Sequence, residues 1–201
     1  FVDQGKGYYR NLLINRRDGA ERKSAIRGQL KWDSGSTTVL GSIHYGKDKS
    51  RNGGYEIVGV YTPQSVAAGT PQICPEYAAG TITAATPNCV LADGTNEGDT
   101  DPRTLNQARY IHLQDNTSFG GFLRIEHDIG GATLTSLTGY DYFRRRAREC
   151  EGGSSFGVVW NSTAKTFSQE LRLSSNNAKL WNYVLGVYFA SDTFESRDVF
   201  L

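Results

Sequence analysis

The sequence has little of what helical proteins and helical membrane proteins are made of. It has no methionine and only 5 prolines among 201 residues, and its longest apolar run covers residues 183–190. A membrane-spanning helix needs roughly 18–20 apolar residues, so the sequence excludes one. No basic stretch followed by an apolar one opens the chain, so we expect no signal peptide within it. Because Phe1 stands where a translated chain carries Met, we expect the gene's own start to lie upstream.

An excess of charge of one sign is also missing. Lys and Arg number 22 against 21 Asp and Glu, a net charge of +1. Proteins that bind nucleic acid generally carry a basic excess, so we expect no nucleic-acid partner. What the sequence does have is 23 Gly, 11 Tyr and 9 Phe, which is the composition of strands and turns.

Apolar and polar residues alternate with period two along much of the chain. In residues 24–32, for example, Ile26, Leu30 and Trp32 alternate with Arg27 and Lys31. This alternation predicts about seven strands, each with one apolar face. The predicted strands cover residues 1–12, 24–32, 37–48, 117–128, 132–149, 165–174 and 179–194. In residues 132–145 the alternation does not define which face is apolar.

The predicted connections alternate between short and long. Short turns are predicted at Asp33–Ser36, at Gly130-Gly131 and at Asn176-Asn177. Long polar connections are predicted at residues 13–23, 49–117 and 150–164. Short periplasmic turns and long extracellular loops alternate in this way in transmembrane β-barrels, so the sequence favours an all-β, antiparallel, up-and-down barrel section. The alternative is a soluble antiparallel sandwich with one polar face per sheet.

The barrel hypothesis assigns the two faces of each strand to lipid and to a wet lumen. Trp32, Trp181 and Tyr183 then lie near one membrane edge, where aromatic rings form a girdle. The candidate lumen-facing or ligand-path residues are Arg27, Lys31, His44, Arg124, Glu126, Glu170, Arg172 and Asn182.

Several segments resemble strands of TonB-dependent outer-membrane receptors. They are Gly7–Leu12 (GYYRNL), Ser24–Trp32 (SAIRGQLKW), Leu134–Tyr142 (LTSLTGYDY), Phe167–Ser174 (FSQELRLS) and Trp181–Phe189 (WNYVLGVYF). The resemblance extends across nearly the whole chain apart from the loop at residues 49–117. It implies active uptake of a scarce nutrient, such as a ferric siderophore, across the outer membrane. It also implies an inner-membrane energy-coupling complex that acts through a plug domain.

The chain departs from that family in size, because such barrels have about 22 strands. We therefore expect residues 1–201 to be part of the barrel domain, with the plug outside this chain. The alternative is a self-contained barrel of about eight strands that serves as a pore, an anchor or an adhesin. A soluble sandwich that binds a glycan through exposed aromatic residues is a third hypothesis. The sequence contains no pairing of nucleophile and base, so we expect no enzymatic activity.

Three further features suggest sites. Cys74 and Cys89 share the long loop and are predicted to form a disulfide. The alternative is that one of them pairs with Cys150 or with a cysteine outside this chain. No resident cofactor is expected. The acidic, Gly-rich stretch with Asp93, Asp99 and Asp101 has some features of a Ca²⁺ loop but lacks the closing Glu, which favours a solvated turn.

The third feature is a cluster of three arginines. Arg144, Arg145 and Arg146 form a basic rim at the outer end of a predicted strand. Guanidinium groups bind phosphate in a bidentate manner, so this rim is a candidate site for lipopolysaccharide phosphates or for an anionic ligand. The alternative is a solvated rim balanced by nearby acids.

Overall fold

A computed structural model describes residues 1–12, 15–51, 59–81, 89–92, 94, 104–105, 112–150, 157–176 and 181–200. Strands dominate the described residues, and two short helices lie in the longest connection. The elements in chain order are β1 (Val2–Gln4), β2 (Tyr9–Asn11), β3 (Arg16–Asp18), β4 (Arg22–Ser34), β5 (Thr37–Asp48), α1 (Pro63–Ala67), α2 (Pro75–Ala78), β6 (Thr104–Leu105), β7 (Leu113–Gln114), β8 (Asn116–Asp128), β9 (Ala132–Cys150), β10 (Gly157–Ser175), β11 (Val184–Ser196) and β12 (Val199–Phe200).

One antiparallel sheet contains the long strands, in the order β1-β4-β5-β8-β9-β10-β11. Each long strand pairs with the long strand next to it in sequence, so the sheet is an up-and-down meander. The predicted all-β antiparallel fold is confirmed. Among the described residues the sheet is open: β1 pairs with Arg22–Ser24 of β4, and β11 lies at the other edge.

Two of the predicted short turns join strands of this sheet. Gly35 has φ 58°, which suits the two-residue turn between β4 and β5. Gly130 has φ 91° in the turn between β8 and β9, and its N–H donates to Asp128 Oδ1 at 2.7 Å. Glycine is required at both places because a residue with a Cβ is strained at such φ values.

Several predicted boundaries are wrong. The strand predicted at residues 1–12 is divided into β1 and β2, because Gly7 has φ 85° and breaks the extended backbone. The loop predicted at residues 150–164 is wrong from Gly157 onward, where β10 already begins. The strand predicted at residues 179–194 begins only at Val184. The turn predicted at Asn176-Asn177 lies outside the described residues from Asn177 onward.

The long connection between β5 and β8 has structure that the sequence did not predict. Helices α1 and α2 are 5 and 4 residues long, which is too short to produce a helical period in the sequence. Each begins with a proline, which fits the first turn of a helix.

Strands β3, β2 and β6 form a separate small sheet. None of the described helices is long and apolar enough to cross a membrane.

Within the described residues the main sheet is a single layer, and large apolar side chains on one of its faces are exposed. Leu30, Ile43 and Val187 are 76%, 72% and 69% exposed. In the described part of the chain, the buried apolar residues are Cys74, Cys89, Val90 and Leu91 in the long connection, together with Ala20, Ala132, Ala147 and Val158, of which Val158 lies near the start of β10.

Candidate functional site

Strand register determines which side chains share a face of the main sheet. Directly paired residues point to the same side, and successive residues point to opposite sides. The face that carries Leu30 and Leu171 is called the apolar face here, and the opposite one the charged face. The apolar face carries Ile26, Leu30, Trp32, Val39, Ile43, Tyr45, Phe119, Leu123, Ile125, Leu134, Tyr140, Tyr142, Phe167, Leu171, Leu173, Leu185, Val187 and Phe189.

Seven of the eight candidate ligand-path residues share the charged face. They are Arg27, Lys31, His44, Arg124, Glu126, Glu170 and Arg172. The eighth, Asn182, lies before β11 begins and outside the sheet. The strand register also shows which face of residues 132–145 is apolar. Leu134, Tyr140 and Tyr142 belong to the apolar face, and Asp141 belongs to the charged face.

Charges on this face are paired along the strands. Lys31 Nζ lies 2.8 Å from Asp33, Arg124 lies 2.5 Å from Glu126, and Arg172 lies 3.8 Å from Glu170. Each pair joins residues two apart, which point to the same side of one strand. The face is therefore rich in charge but close to neutral, which suits a wet surface better than the capture of a single strongly charged ion.

One polar side-chain contact crosses an intervening strand. His44 on β5 and Asp141 on β9 both pair in register with Gly120 on β8, and His44 Nε2 lies 3.2 Å from Asp141 Oδ1. A Cβ at Gly120 would collide with that carboxylate and with the Tyr140 carbonyl oxygen. Glycine at position 120 therefore lets the imidazole and the carboxylate meet above the backbone of β8.

A shallow hollow lies beside these pairs on the charged face. Arg124, Glu170 and Arg172 line it together with the apolar side chains of Leu40 and Phe122. Thr135 in its wall is 5% exposed. Charged groups beside apolar ones could hold a small polar ligand or the side chains of a folded partner.

The predicted basic rim is divided between the two faces. Arg144 and Arg146 lie on the same side of the sheet as the apolar face, whereas Arg145 lies on the charged face. The three arginines therefore do not act as one cluster, because neighbouring residues of a strand point in opposite directions.

Arg145 belongs to a network that the sequence did not reveal. Its guanidinium lies over the Trp160 ring, 4.6 Å from the centroid, and donates to Glu149 Oε2 at 3.1 Å. Trp160 Nε1 donates to the same oxygen at 2.9 Å, and Gln114 Nε2 donates to Oε1 at 3.0 Å. Glu149 thereby links β7, β9 and β10. The sequence alone indicates that Arg145 and Glu149 lie on the same face of a strand. It does not indicate their contacts with Trp160 and Gln114, which depend on how the neighbouring strands pair.

This network lies in the outer extension of the sheet. Strands β9 and β10 have 19 residues each, against 12 or 13 in the other long strands. The outer ends of β9 and β10 pair with each other, and β7 and β12 flank them. These four segments form the extension.

The long connection contains the predicted disulfide, between Cys74 and Cys89. Glu76 Oε2 lies 2.9 Å from Cys74 Sγ and 3.7 Å from Cys89 Sγ. These three residues are the one metal-like grouping in the described residues, but the sulfurs are already bonded to each other. Asp93, Asp99 and Asp101, the candidate Ca²⁺ ligands, lie outside the described residues, and so does the side chain of Cys150.

No protein-family model, curated protein or solved structure matches this chain.

Proposed function

We propose that this chain forms part of the wall of a transmembrane β-barrel in an outer membrane. The observation that carries the proposal is the exposure pattern of the central strands. Along β8 the apolar-face residues Phe119, Leu123 and Ile125 are exposed, while Phe122 and Arg124 on the charged face are half-buried. A soluble sheet has the opposite arrangement, since water favours buried apolar groups.

This reversed arrangement is expected of a curved sheet whose charged face is concave. Side chains crowd one another on the concave side and spread apart on the convex side. In a membrane barrel the convex side is apolar and meets lipid, and the concave side is polar and lines a lumen. The long strands exceed the roughly 9–11 residues that cross a bilayer at a tilt.

The two open edges of the sheet support a wall section in place of a complete barrel. Unpaired strand edges readily pair with further strands. We propose that additional strands continue the wall beyond β4 and β11. An independent soluble sandwich is disfavoured, because in the described residues the long strands of the main sheet contact mainly their sheet neighbours.

We further propose that the barrel is an active-uptake receptor of the TonB-dependent kind. The motif resemblance supports this role, and so does the charged face, half-buried at Arg124, Glu170 and Arg172, which a plug or a small nutrient could contact. The energy-coupling complex would act through parts outside this chain. The residues proposed to line the path are Arg27, Lys31, His44, Arg124, Glu126, Glu170 and Arg172.

Alternating cysteine labelling along β10 and β11 tests the membrane setting. Single cysteines at Phe167, Leu171, Val187 and Phe189 should be protected in lipid vesicles from a charged, water-soluble maleimide. Cysteines at Thr166, Ser168, Tyr188 and Ala190 should react. A Cys150→Ser background removes the remaining thiol outside the disulfide. Equal reactivity of the two sets would contradict the proposal.

Growth tests address the uptake role separately. A host strain that lacks the full protein should grow poorly when its nutrient, such as a ferric siderophore, is scarce. Double charge reversal at Arg124 and Arg172 should lower uptake while leaving the protein in the membrane. Normal growth of the deletion strain on every limiting nutrient tested would contradict a receptor and leave a structural or passive barrel.

A further inference from the structure

At one end of the apolar face, the aromatic residues of β9 are followed by three arginines. In register order on β9, Tyr140 and Tyr142 are followed on the same face by Arg144, Arg146 and Arg148. Two residues of a strand span roughly 6.5 Å, so the three guanidinium-bearing positions begin within about 7 Å of the last tyrosine. On this face the change from aromatic to basic occurs between Tyr142 and Arg144.

An aromatic row lies immediately below these cations. Tyr45, Phe119 and Tyr142 are directly paired across three strands, and the rings of Phe119 and Tyr142 stack with centroids 4.8 Å apart. Aromatic rings collect where lipid chains meet headgroups. Under the proposed function, this row marks the interface, and the cations above it lie at headgroup level.

The cations are positioned by neighbouring strands. Lys47 on β5 lies in the same row as Arg144, with Thr117 between them. Lys47 Nζ donates to Thr117 Oγ1 at 2.8 Å, and an Arg144 guanidinium nitrogen donates to the same oxygen at 3.5 Å. Lys47 also forms an ion pair with Asp115, which neutralises one cation of the set.

Arg146 and Arg148 flank a hollow in the outer extension. Leu113, Asp115, Val159 and Asn161 complete its lining on this face. Arg146 and Arg148 are exposed, and neither makes an ion pair within the described part of the chain. The hollow therefore offers two guanidinium groups, an amide and a small apolar surface, and its single carboxylate is already engaged by Lys47.

We propose that this hollow, together with Arg144, binds the phosphate groups of an anionic lipid whose acyl chains lie along the apolar face. Arginine suits this role because its planar fork contacts two phosphate oxygens at once. The apolar and aromatic surface directly below the cations favours an amphiphile over a free anion. The site rests on the proposed membrane setting, and it excludes Arg145, which points to the other face.

The test uses the full protein in detergent and diphosphoryl lipid A as the probe, with native mass spectrometry counting bound lipid. The double variant Arg146→Glu/Arg148→Glu should weaken lipid binding at least about tenfold, because it removes charge-assisted contacts and adds repulsion. Arg146→Gln/Arg148→Gln should weaken it less. The matched control reverses the same number of charges in the small sheet, at the directly paired Arg10 and Arg17, and should bind as the wild type does.

Three outcomes would overturn the site. The first is full retention of lipid A by both Arg146/Arg148 variants. The second is an equal loss of lipid in the Arg10→Glu/Arg17→Glu control, which would indicate a general charge effect. The third is displacement of lipid A by inorganic pyrophosphate at equal concentration, which would assign the hollow to a soluble anion.

Flotation with phosphatidylcholine vesicles separates this site from the proposed function. Wild type and the Gln double variant should both float, because the apolar face is unchanged. If the wild type does not associate with vesicles, the membrane setting itself is contradicted. If both float and lipid A binding is the same in each, only the phosphate site is contradicted.

Discussion

The long connection and the main sheet differ in how far their apolar side chains are exposed. The described part of the connection buries Cys74, Cys89, Val90 and Leu91, whereas the sheet leaves Leu30 and most of its large apolar side chains exposed. Fully burying one such side chain contributes about 1.5–3 kcal/mol in water, so the sheet forgoes a large stabilisation. The connection buries its apolar groups as a fold in water does, and the exposed apolar face of the sheet is what the proposed contact with lipid requires.

The largest effect that would test this contrast is a charge on the apolar face. Leu171→Arg should destabilise the protein in lipid by about 2–4 kcal/mol, because a lipid-facing arginine near the bilayer midplane is costly. The free energy of unfolding by urea in lipid vesicles measures it. The control is Thr166→Arg on the charged face, where the new cation would lie between Asp141 and Asp192 and should cost little. Equal losses in the two variants would contradict the assignment of faces.

Removal of the disulfide tests the other half of the comparison. Replacing Cys74 and Cys89 together by Ser should destabilise the connection by about 3 kcal/mol, since the bridge closes a short loop. Hydrogen exchange should accelerate in α1 and α2 and stay unchanged in β8 and β9. Faster exchange throughout the sheet would mean that the two regions depend on each other.

Alanine substitutions at two glycines of the apolar face distinguish the effect of a steric clash between strands from the effect of exposing an extra methyl group. A Cβ at Gly121 would collide with the Ser42 carbonyl oxygen, whereas nothing lies within 4 Å of a Cβ at Gly41. Gly121→Ala should therefore cost about 1–3 kcal/mol, and Gly41→Ala should be close to neutral. Urea unfolding of both variants in lipid gives the comparison. A loss at Gly41 as large as that at Gly121 would show that the close approach of strands is not the cause.

The smallest expected effect comes from the outer rim. The hydrogen bond and ion pair with Lys47 hold the pKa of Asp115 below its usual value of 3.8. A lowered folded pKa stabilises the fold above the unfolded pKa, and this contribution is lost as pH falls through the folded pKa. Asp115→Asn should therefore cost at most about 1 kcal/mol at neutral pH, because the pair is partly exposed to solvent.

The pH dependence of that variant provides the check. The difference in unfolding free energy between wild type and Asp115→Asn should disappear in acid, below 3.8. A difference that stays constant with pH would mean that Asp115 acts by shape and not by charge.

The sequence predicted the strands wherever one face is apolar and the other polar. Alternation around Leu30 and Leu123 identified β4 and β8, and seven of the eight predicted ligand-path residues lie on the charged face. It failed in β10 at residues 157–164, because the extension has no continuous apolar face to produce a period. Partners across strands, such as His44 with Asp141 or Glu149 with Trp160, depend on register, which no single segment encodes.

The central claim is that the apolar face of the main sheet contacts lipid chains, and Trp32 tests it most directly. Trp32 lies on that face and is 54% exposed. In a Trp160→Phe/Trp181→Phe background, brominated phosphatidylcholine should quench its fluorescence strongly. A tryptophan moved to the charged face, by Trp32→Phe together with Lys31→Trp, should be quenched much less. Strong quenching only at position 32 is the predicted result, and equal or absent quenching at both positions would contradict the account.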